Sequence, residues 1–172
     1  DANKNYYIND FYAYMYEKHN IERMAQGKTV TGSTVEESEE ICEKLITAYP
    51  EFTTYAEKIY KFTRNELQRR VDSHEISQDF ADYLNKLYPH YIPTWRVTKN
   101  NKGSLSYRAT GSVKDILPLW DQLVTLGTRS VEVAKRNMFA VEIATSYLEN
   151  PERAKDYILS ITKEVKDEIT PE

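Results

Sequence analysis

Hydrophobic positions recur at helical spacing along most of this chain. The first such segment covers residues 5–26 and stops near Gly27, a residue type that is common just after a helix. The second begins at Thr34, which forms the S/T-x-x-E capping-box pattern with Glu37. It ends before Pro50, because the residue before a proline is steered away from helical geometry. Two helices are therefore predicted in the first 50 residues.

Two more helices follow before the chain changes character. Residues 52–74 carry an apolar stripe at helical spacing. Ser77 has the side chain of an N-cap and opens a short helix that ends at Tyr88, since Pro89 comes next. The aromatic stretch "LYPHYIPTWR" thus begins as the last turn of a helix. We interpret it as a junction whose rings fasten the departing chain to the helices.

The longest apolar stripe lies in the second half of the sequence. It runs at steps of three and four residues without a break at Gly127, so one long helix with a close crossing at that glycine is predicted. Asn150 and Pro151 have the residue types that open a helix, and a sixth helix is predicted over residues 150–169. The positions of the long stripe are Ile116, Trp120, Leu123, Gly127, Val131, Ala134, Met138, Val141, Thr145 and Leu148.

A change of period between these helices indicates the one β element. Trp95 and Val97 alternate with polar residues, as do Leu105 and Tyr107, and the turn-forming stretch "TKNNKGS" lies between the pairs. We therefore predict a mainly α protein, a bundle of about six helices around the long helix, with a small β-hairpin or hairpin-like loop near residues 94–108. Residues 1–172 are expected to form a single helical domain, itself a fragment of a larger multidomain protein.

The composition excludes some classes of protein but indicates no particular reaction. Hydrophobic residues make up 40% and charged residues 29%, which are ordinary values for a soluble globular domain. No apolar run approaches the roughly 18 residues of a membrane span, so no membrane partner is expected. The single cysteine, Cys42, excludes an internal disulfide. These features fit the reducing interior of a cell or a particle assembled there.

Charge is distributed unevenly. The chain has a net charge of −4, yet residues 94–114 carry five positive charges and no acid, so the remainder carries a net −9. Cations beside aromatic rings are the chemistry of nucleic-acid contacts, in which cations meet phosphates and rings stack on bases. A solvated hairpin tip explains the same composition. The candidate binding residues are Trp95, Arg96, Lys99, Lys102, Tyr107, Arg108 and Lys114.

Catalytic signatures are missing from the sequence. His19, His74 and His90 have no partners at metal-ligand spacing, and Cys42 lies on an apolar stripe beside Leu45, where a small core residue is expected. No phosphate loop, dinucleotide fingerprint or nucleophile elbow occurs. We therefore predict no catalytic residue, no metal ligand and no cofactor.

Three stretches in this order resemble a known domain. They are "KHNIERMAQGKTVTG" (18–32), "SQDFADYLNKLYPHYIPTWR" (77–96) and "YRATGSVKDILPLWDQLVTLGTRSVEVAKRN" (107–137). Their order is similar to that of an accessory helical domain in the very large polyvalent proteins of tailed phages and conjugative elements. The resemblance covers roughly residues 10–150, and the "YPHYIP" block with its spacing to "TGS" is its most specific part.

The resemblance implies a context and no mechanism. Polyvalent proteins are strings of domains thought to travel with the DNA of the element into a new host, and this helical domain has no catalytic residues to carry over. We expect a non-catalytic scaffold or interaction module in the host cytoplasm or in a phage particle. Its expected partners are the other domains of the parent protein, and DNA or a virion or host protein. The oligomeric state is left open.

An enzyme remains the alternative. Its active site would be completed by other regions of the full-length protein. That hypothesis predicts that His90, Arg96 and Arg136 converge with a carboxylate around a concave pocket.

Overall fold

The computed structural model describes residues 2–96 and 116–152, and helices dominate these ranges. The prediction of a mainly α protein is confirmed. Most of the predicted sixth helix and the interior of the predicted hairpin lie outside the described residues. The five helices are α1 (Ala2–Met24), α2 (Val35–Ala48), α3 (Phe52–Asp72), α4 (Gln78–Leu87) and α5 (Leu119–Glu149).

Side chains of the predicted types cap the helix starts. The Thr34 hydroxyl accepts a hydrogen bond from the backbone N–H of Glu37 at 3.2 Å. In return the Thr34 N–H donates to the Glu37 carboxylate at 2.8 Å, so the capping box is complete. Ser77 accepts from the N–H of Phe80 at 3.2 Å and caps α4 in the same way.

Three helices end in the same geometry, each on the residue before a proline. Tyr49 closes α2 with φ −138° and ψ 77°, and Tyr88 closes α4 with φ −135° and ψ 68°. Asn150 closes α5 with φ −139° and ψ 66°. The following proline ring clashes with helical geometry at the preceding residue, so each break is local and was predictable from the sequence.

Aromatic rings fill the core between α1, α2 and α3. Phe52 is fully buried, stacks on Tyr49 at a centroid distance of 4.8 Å and meets the edge of Phe11 at 5.1 Å. Ile92 from the junction and Leu119 from the first turn of α5 close the same cluster, both without exposed area. Each such side chain contributes roughly 1.5–3 kcal/mol through burial.

The bundle is organised around α3 and not around the long helix. Among the described helices, α3 packs against α1, α2, α4 and α5. The main helical partner of α5 is α3, so the prediction that the long helix is central is wrong. The reason is the position of its apolar residues: most of the large hydrophobic side chains of α5 from Met138 onward, among them Phe139 and Leu148, are exposed.

The start and register of α5 also differ from the prediction. The helix begins at Leu119, with Pro118 at the N-cap position, and Ile116 instead forms an antiparallel bridge with Arg96. Trp120, assigned to the buried stripe from its spacing, is 63% exposed, whereas Leu119 has no exposed area. Polar Gln122 is buried because its side-chain amide has hydrogen-bond partners in the interior.

The close crossing at Gly127 is confirmed. A Cβ atom built on Gly127 would lie 3.2 Å from Cζ of Phe62 on α3. A glycine at this position lets α3 and α5 approach closely, and α5 continues through it without a break. Within the described ranges, no helix is both long enough and apolar enough to cross a membrane.

Candidate interaction site at the base of the basic segment

Two of the seven predicted binding residues lie in the described structure, Trp95 and Arg96. Both are partly buried at the point where the chain leaves the helical bundle. The other five, Lys99, Lys102, Tyr107, Arg108 and Lys114, lie outside the described residues. The site can therefore be built from its base, the two chain ends that flank residues 97–115.

These two chain ends pair with each other. Arg96 and Ile116 form an antiparallel bridge, and the N–H of Leu117 donates to the carbonyl of Trp95 at 2.9 Å. Antiparallel pairing of flanking residues is the pattern at the base of a hairpin. The basic segment consequently begins and ends at one place on the bundle, although the predicted hairpin itself stays a prediction.

Gln122 of α5 joins both chain ends to the bundle. It is 1% exposed, and its amide oxygen accepts from the N–H of Trp95 at 2.5 Å. Its amide nitrogen donates to the carbonyl of Leu117 at 2.6 Å and to the Tyr16 hydroxyl at 3.0 Å. Tyr16 in turn donates to the same Leu117 carbonyl at 2.9 Å. The buried side-chain amide of Gln122 thus holds the chain on both sides of residues 97–115.

Two arginines surround this base. The guanidinium of Arg129 lies over the Trp95 ring, 5.4 Å from its centroid, in a cation–π arrangement. Arg96 donates from its guanidinium to the carbonyl of Val30, in the loop between α1 and α2. Arg129 therefore adds a cation to the predicted set, while part of the hydrogen-bonding capacity of Arg96 serves the fold.

The loop that receives Arg96 is shaped by Asn20 of α1. The Asn20 amide oxygen accepts from the N–H of Val30 at 2.6 Å and from the Thr29 hydroxyl at 3.0 Å. Its nitrogen donates to the Ser33 carbonyl at 3.0 Å and to the Ser38 hydroxyl at 2.9 Å. With no exposed area, Asn20 replaces water for several loop groups and fixes the position of the Val30 carbonyl.

A buried carboxylate supports the same loop. Glu17 is 7% exposed and accepts hydrogen bonds from three hydroxyl groups. These come from Ser38 at 2.7 Å, Thr31 at 2.9 Å and Ser33 at 3.1 Å. Hydroxyl donors compensate part of the cost of burying a carboxylate, so Glu17 acts as a cross-link between α1, the loop and α2.

The junction before Trp95 is held by Glu22 of α1. One carboxylate oxygen lies 2.5 Å from Nδ1 of His90 and accepts from the His90 N–H at 2.9 Å. The other oxygen lies 3.3 Å from Nδ1 of His19. Burial acts to raise the pKa of Glu22, but hydrogen bonds from His19 and His90 outweigh it and lower the pKa to about 2. Ile92 and Pro93, both fully buried, follow directly.

The residues that the enzyme hypothesis brings together have different immediate partners. The His90 ring contacts the carboxylate of Glu22, whereas Arg96 donates to the Val30 carbonyl. Arg136 is exposed on α5. Cys42 is buried in the core, and burial raises the pKa of its thiol to about 11. In the described part of the chain, no group of three or more His, Cys, Asp or Glu side chains is placed to hold a metal ion.

The prediction of binding residues did not include the side chains that position them. Gln122, Asn20 and Arg129 were not singled out, because a polar residue on an amphipathic helix is normally assigned to the solvent face. The sequence held no usable signal for Gln122, because the buried face of α5 that it shares with Leu119, Leu123 and Ser130 is known only from the structure. No family model, curated protein or solved structure matches this chain.

Proposed function

We propose that this chain is a non-catalytic interaction module of a phage or mobile-element protein, and that it contacts DNA through the basic residues of segment 94–114. The observation that carries this proposal is the closed base of that segment. Trp95 and Leu117, on the two sides of residues 97–115, are both hydrogen-bonded to one buried glutamine, Gln122. Preorganising a binding segment lowers the ordering cost of association.

Charge favours this segment over the rest of the surface. It carries five cations without an acid, while the remainder of the chain has a net −9 that repels a polyanion. Arg129 beside Trp95 extends the positive region onto α5. The family resemblance supports the context, in which the module acts beside other domains of its parent protein, in the host cytoplasm or in the phage particle.

The first test is salt-dependent binding to a fluorescent DNA duplex, read by anisotropy. Reversing four charges, Lys99→Glu, Lys102→Glu, Arg108→Glu and Lys114→Glu, is expected to weaken binding at least about 100-fold, because released counterions dominate such affinity. The wild-type logarithm of affinity should fall linearly with the logarithm of salt concentration, with a slope of about −4 for four to five phosphate contacts.

A matched variant separates local charge from net charge. It reverses four exposed lysines on the helices, Lys44, Lys58, Lys61 and Lys86, and so changes the net charge equally. We expect it to keep most of the wild-type affinity. Equal losses in the two variants, or a wild-type affinity that does not respond to salt, would remove DNA from the proposal.

A third variant tests presentation with all cations kept. Gln122→Leu breaks the hydrogen bonds to Trp95 and Leu117 while leaving every charge in place. If the closed base matters, the affinity for DNA falls several-fold even though circular dichroism shows a folded protein. Unchanged affinity would mean that charge alone suffices and would contradict the role given to the base.

A further inference from the structure

A cavity of about 210 Å³ opens between α3, α5 and the end of α4. At one wall α5 touches α3 closely at Gly127, and Leu126 and Ser130, on either side of that glycine in the sequence, line the opening. The short helix α4 and the turn after Tyr88 form the remaining wall. Neither Trp95 nor Arg96, the two predicted binding residues within the described structure, lines it.

Most of the wall is apolar. Each of the three helices contributes a leucine, namely Leu67 of α3, Leu84 of α4 and Leu126 of α5. Tyr88 and Tyr91 line the side that faces the junction, and the Tyr88 hydroxyl is already bonded to Arg23 of α1 and to Gln26 in the turn that follows α1. Such a wall favours a ligand with an apolar body.

The polar groups in the deeper part of the cavity are already paired. Glu66 is 5% exposed, accepts a hydrogen bond from Ser130, and accepts two more from Arg69, each at 3.2 Å. Thr63 donates to the carbonyls of Tyr60 and Tyr91, both at 3.1 Å. These groups therefore require nothing from a ligand.

At the rim of the cavity, the side-chain donors of Arg64 and Asn85 are weakly paired or unpaired in the described part of the chain. Within the described residues the guanidinium of Arg64 has one charged partner, Glu57, at 3.7 Å, and the two side chains are 43% and 66% exposed. An exposed ion pair at that distance contributes little. The side-chain amide of Asn85 has no hydrogen bond in the described part of the chain. Arg70, by contrast, is held by Glu75 at 2.7 Å and 3.0 Å.

Two hydrogen bonds show how α4 and the turn after it run relative to α3. Gln68 of α3 donates to Gln78 at the start of α4 at 3.3 Å, and Thr63 donates to the carbonyl of Tyr91 after α4. The chain from residue 78 to residue 91 therefore runs back along α3. This direction brings Asn85 towards the turn of α3 that carries Arg64.

We propose that this cavity binds a small carboxylate with a short apolar body. The body would fill the space between the three leucines, and the carboxylate would accept from Arg64 and Asn85 at the rim. A planar guanidinium matches the two oxygens of a carboxylate, and such charge-assisted hydrogen bonds are stronger than neutral ones. The volume lies below the roughly 300–1,000 Å³ of sites for drug-sized ligands, which limits the body to one ring or one branched chain.

Such a carboxylate has two sources, a free organic acid or the C-terminal residue of a peptide, and the test distinguishes them. The full chain, labelled with nitrogen-15, is titrated by NMR with 3-phenylpropionate, with 3-phenylpropanamide, and with N-acetyl-alanyl-phenylalanine carrying a free or an amidated C-terminus. We expect 3-phenylpropionate to shift amides in α3, α4 and α5 around the cavity. Its amide should bind at least about tenfold more weakly, since it lacks the charge that Arg64 recognises.

If the peptide with a free C-terminus binds more tightly than the free acid, the source is a chain end. If only the free acid binds, the source is a small metabolite. Arg64→Gln should weaken binding about tenfold, whereas Arg136→Gln, which removes an exposed arginine of α5 outside the cavity, should leave it unchanged. Leu126→Phe is expected to abolish binding by filling the space.

Thermal melting of each variant accompanies the titrations, and binding is compared only among folded variants. The proposal is overturned if acid and amide bind equally, if millimolar acid shifts no amide around the cavity, or if Leu126→Phe binds like the wild type. None of these outcomes depends on DNA binding by the basic segment.

Discussion

Glu22 shows how one side chain fastens the junction to α1. Its two carboxylate oxygens form hydrogen bonds with the side chains of His19 and His90 and with the backbone N–H of His90. Its side chain is only 12% exposed. The pKa of about 2 means that the folded protein holds this carboxylate ionised well below the ordinary value of 4.5. A group whose pKa is depressed by folding stabilises the fold above its unfolded pKa, and that stabilisation is lost as pH falls towards the folded pKa.

We therefore expect Glu22→Gln to separate from the wild type in its pH profile. At pH 5 and above the wild type should be more stable by roughly 2–4 kcal/mol, and the difference should shrink as pH falls from about 4.5 towards 2. Urea unfolding followed by circular dichroism between pH 2.5 and 7 measures both free energies of unfolding.

A second titrating group requires that the two proteins be compared with each other. Burial lowers the pKa of His19, so any folded form loses stability when pH drops below its ordinary pKa of 6.5. Both proteins keep His19, but Glu22 itself raises the pKa of His19, so the difference between them reports Glu22 together with its coupling to His19. Glu39→Gln, at an exposed site on α2, should follow the wild type throughout. A constant difference from pH 7 to 2.5 would contradict the assigned role.

Single residues also mark how far the candidate site could be predicted. Trp95 and Arg96 were singled out as candidates because aromatic and cationic residues stand out in a polar, turn-rich segment. Gln122 and Asn20 were not, since an amide carries no mark of burial until its partners are known. The partners of Gln122 lie 5 to 106 residues away along the chain, so no local pattern contains them.

At the scale of the element, boundaries were predicted better than faces. Capping residues and prolines act within three or four residues, and the start of α2 and the ends of α2, α4 and α5 all lie where they were expected. The buried face of α5 depends on distant contacts, and its predicted stripe placed Trp120 inside. Its steps of three and four also fit the neighbouring face, so periodicity alone could not choose between Leu119 and Trp120.

The crossing of α3 and α5 leads to a prediction about Gly127. Gly127→Leu is expected to lower the free energy of unfolding by about 2–3 kcal/mol, because the new side chain has to displace the Phe62 ring, which lies 3.2 Å from the position of a Cβ atom. Gly127→Ala should change it by less than about 1 kcal/mol, since a helix propensity gain of similar size offsets the tight contact. Chemical denaturation measures both values.

Two further variants identify the contact responsible. Thr128→Leu introduces the same side chain at the adjacent, exposed position and should be nearly neutral. In a double-mutant cycle, Phe62→Ala should recover at least about 1 kcal/mol of the loss caused by Gly127→Leu. Strictly additive losses would show that the cost of leucine arises elsewhere.

For the whole molecule, the arrangement around α3 divides α5 into two parts. The inner part packs on α3, and Asn137 makes the last hydrogen bond from α5 to the rest of the described chain, donating to the Ser73 carbonyl. Beyond it the helix continues to Glu149 with Met138, Phe139 and Leu148 exposed. The sequence predicts one continuous apolar stripe, but only contacts between elements decide where such a stripe is covered.

This division predicts unequal stability along one helix. An isolated helix of about three turns is marginal in water, so the outer part of α5 should open without the rest of the protein unfolding. Native-state hydrogen exchange, read by NMR, should give amides at residues 140–148 protection factors at least about 100-fold lower than those at residues 122–134. The helix itself is continuous, so its backbone hydrogen bonds alone predict no such difference.

The alternative to local opening is a cover for the exposed side chains, and protein concentration distinguishes its kinds. Protection of residues 140–148 that rises with concentration would identify a second copy of the chain as the cover. High protection at every concentration would show that another part of the same chain covers the apolar side chains of α5. Either result contradicts the prediction, because a helix that something covers is stabilised by packing and no longer opens on its own.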